Sequence, residues 1–173
     1  GVLASCFLAP NTDVQYTSPP ELAEKIKTWV GDYSLDVPDF RSEDKARILR
    51  DIYTMCDQRF AVAQQMLTEY EPDLLMMVEM GVDRIHHALW KHMDARHPLY
   101  VPDSSFANAI HDYYCHVDQH IGELLASCDE QTAVLVVSDH GARPLMGGVC
   151  LNQWLVEEGY LTLQTTPNNS LSL

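Results

Sequence analysis

Two pairs of residues in this chain have the make-up of a metal centre. Asp83 and His87 stand four residues apart, and Asp139 and His140 are adjacent. A carboxylate oxygen and an imidazole nitrogen can converge on one cation, and divalent ions from Zn²⁺ to Mn²⁺ accept such mixed sets. A helix running from Arg84 onward would set His87 one turn beyond Asp83, because residues four apart share a helix face. Two pairs imply two ions. Taken alone, Asp139-His140-Gly141 is equally a turn that begins with Asp and ends with Gly, and it is the second pair that favours the metal reading.

The elements that must position these pairs are strands. Thr132 to Val137 is a short unbroken apolar run ending in Ser138-Asp139-His140-Gly141, and Asp73 to Val82 is another with a carboxylate, Asp83, just past its end. Runs of this kind read as strands buried on both faces, which belong to parallel sheets. In open α/β sheets ligands gather outside the carboxyl ends of the strands. All four side chains are therefore expected in one cluster at the carboxyl edge of neighbouring parallel strands.

Around these strands the periodicity is helical. Ser18-Pro19-Pro20-Glu21 combines an N-cap, a Pro at the first helical position and an acid near the start. Leu22, Ile26, Trp29 and Val30 follow as an apolar stripe, with Gly31 as the stop. From Ser42 to about Tyr70, Ile48, Leu49, Ile52, Cys56, Phe60, Ala63 and Leu67 recur at steps of three and four, which predicts one long helix. Another begins at Asp103 or Ser104, with Phe106, Ile110, Tyr113, Val117, Ile121 and Leu124 on its buried face. His116 and His120 lie one turn apart on it, a spacing that can bind metal. Without an intervening Glu they read as partly exposed polar residues. Asn152 to Glu158 predicts a short helix stopped by Gly159. Val2 to Leu8 and Tyr160 to Leu163 predict strands, and Thr165 to Leu173 a frayed tail. Arg143 reads as the partner of a surface acid, with a substrate phosphate as the alternative, and His86 as solvent-facing or supporting His87.

Composition bounds what such a centre can serve. With 173 residues, 46% of them hydrophobic, the chain is one domain's worth of globular protein. Its formal net charge of -14 argues against a nucleic acid or an anionic membrane as partner. No apolar run approaches the roughly 20 residues of a membrane span. Five scattered cysteines, odd in number and without a Cys-x-x-Cys pair, predict reduced and mostly buried thiols and a cytoplasmic setting.

Asp83-x-x-x-His87 after one apolar run and Ser138-Asp139-His140-Gly141 after a later one resemble the metal motifs of the alkaline phosphatase superfamily. The similarity is greatest to bacterial members of its type I phosphodiesterase/nucleotide pyrophosphatase group. Gly81 to His87, His97 to Tyr100, Gly147 to Leu155 and Gly159 to Leu161 carry the likeness across most of the chain. The resemblance implies an α/β fold, part of a three-layer sandwich with a mainly parallel sheet flanked by helices. It also implies two divalent ions, Zn²⁺ or Mn²⁺, with Asp83 and His87 on one and Asp139 and His140 on the other. The implied substrate is a small-molecule phosphate ester or a nucleotide. The family's Thr or Ser nucleophile, a further Asp and a later His match no segment here. The chain is accordingly expected to be an internal portion of a longer enzyme, with its nucleophile upstream and little activity of its own. Residues 1–173 would then form a single incomplete catalytic domain. Within it, about 11–70 would be a mainly helical, insertion-like segment and 71–165 the α/β core with the metal motifs. A non-catalytic module on the same scaffold, or a phosphomutase or phosphonate hydrolase of the superfamily, are the alternatives.

Overall fold

The computed structural model describes residues 1–165. Strands β1 (Leu3–Ala4) and β2 (Thr17–Ser18) pair antiparallel, Leu3 opposite Ser18 and Ala4 opposite Thr17. Five helices follow: α1 (Leu22–Val30), α2 (Lys45–Tyr70), α3 (Gly81–Met93), α4 (Ala109–Leu125) and α5 (Leu151–Glu157). The result is a small mixed α/β unit dominated by helices.

Each helix starts where its backbone donors find an acceptor. Asp44 caps α2 by accepting from the Arg47 N–H at 3.1 Å, which satisfies one of the helix's orphan first-turn donors. At α1 the predicted Ser18 cap is not formed. Ser18 instead belongs to β2, and the first-turn donors of Leu22 and Ala23 are satisfied by the Pro19 and Pro20 carbonyls. Gly31 ends α1 at φ 75°, in the left-handed region that suits a glycine.

The main core lies between α2, α3 and α4. Ile48, Ile52, Met55, Cys56 and Phe60 of α2 meet Ile85, Ala88 and Leu89 of α3 and Ile110, Tyr113 and Val117 of α4. A smaller cluster gathers Leu22 and Ile26 of α1 with Tyr16, Leu35 and Val62. Arg59 ties the layers together from a buried position, donating to the Leu35 and Val78 carbonyls at 3.0 Å each.

Several expectations need correction. Among the described residues no strand covers 73–80, 132–138 or 160–163, β1 is two residues long, and the expected mainly parallel sheet is not present. A strand forms only when a neighbour supplies partners for its N–H and C=O groups. Positions 133–148 make no backbone–backbone hydrogen bond among the described residues, and Leu135 and Val137 are each 86% exposed. The 73–80 run is intermediate in character. Leu74, Met76 and Val78 are exposed, whereas Leu75 and Met77 are half-buried and Met77 packs on the main core. That alternation is the period of a strand with one face covered. Helices α3 and α4 also start elsewhere than expected, α3 at Gly81 rather than Arg84 and α4 at Ala109 after a series of turns. The cysteines are all free, but only Cys56 is buried, with Cys115 and Cys150 exposed. No described helix is long and apolar enough to cross a membrane. The predicted tail falls largely on 166–173, outside the described residues.

Candidate metal centre

Asp83 lies inside the first turn of α3, where the helix dipole favours a carboxylate. His87 is one turn on, its Nε2 3.4 Å from Asp83 Oδ1. The other carboxylate oxygen is occupied, since Arg84 donates to Asp83 Oδ2 at 2.6 Å. Arg84 is itself fixed by a two-pronged pair with Asp36, both bonds 2.7 Å, and its guanidinium sits over the Phe40 ring at 4.4 Å. Burial pushes the Asp36 carboxyl up, but hydrogen bonds from Arg84 and the Val37 N–H outweigh it and hold the group below the usual carboxylate range. Asp83 is thus left with one oxygen facing His87, and the His87 ring leans on Phe40 at 5.8 Å between centroids.

What aims α3 is a contact at its first residue. Glu79 Oε1 accepts from the Gly81 N–H at 2.5 Å and from the Tyr113 hydroxyl at 2.6 Å. A Cβ on Gly81 would come within 1.8 Å of that hydroxyl, so only glycine lets α3 start this close to α4. His86 faces α4 rather than solvent, with Nε2 3.3 Å from the Tyr114 hydroxyl and its ring edge-on to Trp90. Burial lowers its pKa below the ordinary histidine value.

The second pair stands on a very different support. Asp139 Oδ1 and His140 Nε2 are 3.7 Å apart, with the side chains 87% and 70% exposed. His140 Nδ1 lies 3.1 Å from the Gly141 carbonyl. A carbonyl can only accept, so the Nδ1–H donates to it, and Nε2 is the ring atom that faces Asp139. In the neutral ring that is the tautomer a ligand needs.

The structure forms the two pairs separately. Among the described residues no three of these four side chains bring their ligand atoms together. Arg143 has no acidic partner among the described residues and instead lines a surface depression with Arg96, Pro144 and Met146. The expected surface pairing of Arg143 is therefore not formed. A group that the sequence reading passed over lies between α2 and α4, where Cys56, His116 and His120 each offer a ligand atom, all within 4.8 Å of one another. The spacing of the histidines was visible. That they face Cys56 is a matter of how two distant helices pack.

The donor sets suit the implied ions. Each pair offers one free carboxylate oxygen and one imidazole nitrogen, a combination that Zn²⁺ and Mn²⁺ both accept. Comparison with known families matches residues 1–171 to Type I phosphodiesterase / nucleotide pyrophosphatase. No curated protein and no solved structure matches the chain.

Proposed function

The chain belongs to the type I phosphodiesterase/nucleotide pyrophosphatase family, and from that premise we propose that it carries part of the two-metal centre of a phosphoric ester hydrolase. Asp83 and His87 would hold one divalent ion, Asp139 and His140 the other, Zn²⁺ or Mn²⁺ in each case. The substrate would be a small phosphate ester or nucleotide. The observation that carries this reading is the preparation of both pairs, each with a carboxylate oxygen left towards an imidazole nitrogen. When bound, the ions offset charge on the phosphoryl oxygens and lower the pKa of a hydroxyl nucleophile.

The chain's own residues supply orientation. Asp36 and Arg84 restrict Asp83 to one usable oxygen, and Phe40 backs both Arg84 and His87. The Gly141 carbonyl selects the His140 tautomer. None of the four proposed ligands is the nucleophile. We further propose that 73–80 and 132–138 become neighbouring parallel strands of an alkaline-phosphatase-like sandwich once further layers cover them, which would bring the two pairs to one edge. The strand-like alternation of exposure along 74–79 supports this, because its uncovered side carries Leu74, Met76 and Val78, the residues another layer would bury. Five cysteines that are all free fit a reducing compartment.

The test is Mn²⁺ calorimetry, because Mn²⁺ prefers carboxylate and imidazole to thiolate. The Asp139→Ala, His140→Ala double variant is expected to lose one bound ion and Asp83→Ala, His87→Ala the other. Unchanged stoichiometry in both would overturn the ligand assignment. With a chromogenic phosphodiester the isolated chain is expected to show little turnover, since no nucleophile motif is recognisable. Robust metal-dependent hydrolysis would contradict that.

A further inference from the structure

The junction of α2 and α4 gathers four groups of ligand chemistry outside the centre described above. Cys56 and Asp57 come from consecutive positions of α2, and His116 and His120 from one face of α4. Cys56 is fully buried at 0% exposure, and the two histidines are largely covered, 26% and 20% of their side chains remaining exposed. His116 Nε2 lies 2.6 Å and His120 Nε2 3.0 Å from the same atom, Asp57 Oδ1. Each contact is an Nε2–H hydrogen bond to that oxygen, and a small cation among the thiol, the carboxylate and the two rings would take the place of those protons.

The rings are held in place by packing as well. His120 stacks on Phe60 with centroids 4.9 Å apart and planes at 10°. His116 leans on Tyr53 at 4.7 Å, and the two imidazoles meet edge to face at 4.6 Å. Glu123 Oε2 lies 3.6 Å from His120 Nδ1. A small side-chain movement would let it accept the Nδ1–H and leave Nε2 free to coordinate. Metal-bound histidines are commonly oriented by a carboxylate in this way.

We propose that Cys56, Asp57, His116 and His120 form a binding site for a borderline-soft divalent ion, Zn²⁺ being the type case, that clamps α2 to α4. Thiolate, carboxylate and two neutral imidazoles make a four-coordinate set whose two negative charges cancel those of the ion. Ligand atoms around Zn²⁺ stand about 3.5 Å apart. The 4.8 Å spread of the Cys56, His116 and His120 ligand atoms therefore needs a closure of about 1 Å, and Asp57 Oδ1, at 2.6 and 3.0 Å from the imidazole nitrogens, has to draw back by a comparable amount. The proton balance is simple. Cys56 releases its thiol proton to solvent, and any imidazole whose Nε2 carries a proton shifts it to Nδ1. Without an ion, burial pushes the Cys56 thiol up to about 12, with Glu79 adding to the effect. The thiolate therefore forms with the metal and not before it. Sulfur sets this site apart from the Asp83, His87, Asp139 and His140 set, which has none.

Cobalt distinguishes the two. Adding Co²⁺ to the metal-free chain is expected to give a thiolate-to-cobalt absorption band and the strong visible bands of four-coordinate Co²⁺, both displaced by one equivalent of Zn²⁺. Cys56→Ser is expected to abolish the thiolate band, and Cys115→Ser, at an exposed cysteine on α4, to leave it. His120→Gln and His116→Gln are each expected to weaken Zn²⁺ binding at least tenfold. If Cys56→Ser does not fold, the histidine variants decide, because both residues keep part of their surface in solvent. The Asp139→Ala, His140→Ala variant should keep the band, so failure here and failure of the phosphodiesterase reading are separable. A folded chain with no thiolate band, or a band that survives Cys56→Ser, would overturn the site.

Discussion

Asp83 and Asp139 belong to similar pairs, yet the regions that carry them differ in nearly every physical respect. Asp83 rides on α3, whose Ile85 and Leu89 are fully buried and whose first residue is pinned by Glu79 and Tyr113. Asp139 lies in a segment whose residues from 131 to 143 are all exposed, Val134 to Val137 included. The difference reflects how each kind of element meets its backbone needs. A helix satisfies its own N–H and C=O groups and needs only one covered face, so α2, α3 and α4 can complete a core among themselves. A strand borrows its partners, and an apolar strand needs layers on both faces as well.

Hydrogen exchange should show the widest separation. Amides of α2 and α3 in the main core are expected to exchange on the order of 10³-fold or more slower than those of 133–148. Equal protection would mean that 133–148 is held by partners, and the comparison would fail. Core truncation comes next. Ile52→Ala or Ile85→Ala is expected to cost about 2–5 kcal/mol in denaturant unfolding, whereas Val136→Ala should stay within about 0.5 kcal/mol. A large effect at Val136 would again point to a packed strand. Gly81→Ala sharpens the comparison from the helical side. It should cost about 1–3 kcal/mol through overpacking against Tyr113, and a substitution that proved neutral would mean α3 can begin elsewhere.

Acid gives the smallest and most graded effect. Burial lowers the pKa of His86 and of His92, so the unfolded chain takes up these protons first as pH falls. The stability they contribute is complete above about pH 6.5 and declines as pH drops from there through their lower folded values. Asp36, held below the usual carboxylate range in the folded chain, adds a second decline below about pH 3.9. Unfolding midpoints measured from pH 8 to pH 3 should fall in that order. A profile flat between pH 7 and 5 would show that neither the buried His92 nor the half-buried His86 is shielded from water in the folded chain.

The helices were legible because each carries its own evidence. Leu22 and Ile26, or Ile48, Ile52 and Cys56, recur at helical steps whatever surrounds them, and α1 and α5 end beside the glycines that stop them. The shared face of Asp83 and His87 follows from the same geometry. The start of α3 was misplaced because Gly81, poor in helix propensity, reads as a break until Tyr113 is known to pack against it. Apolar runs such as 132–137 state that burial is needed without saying what provides it. The grouping of Cys56 with His116 and His120 was hidden for a related reason, since it depends on α2 meeting α4 across some 60 positions of chain.

The stacking of α2 on α3 and of α3 on α4 also bears on the order of assembly. Contacts between successive helices close short loops, and chains dominated by such contacts fold fast, while pairing of distant strands is slow. In a Trp29→Phe, Trp154→Phe variant, stopped-flow fluorescence of Trp90, which lies on α3, would follow the helical layer alone. Asp83 and His87, which ride on α3, are therefore brought to their mutual geometry early, together with the helical layer.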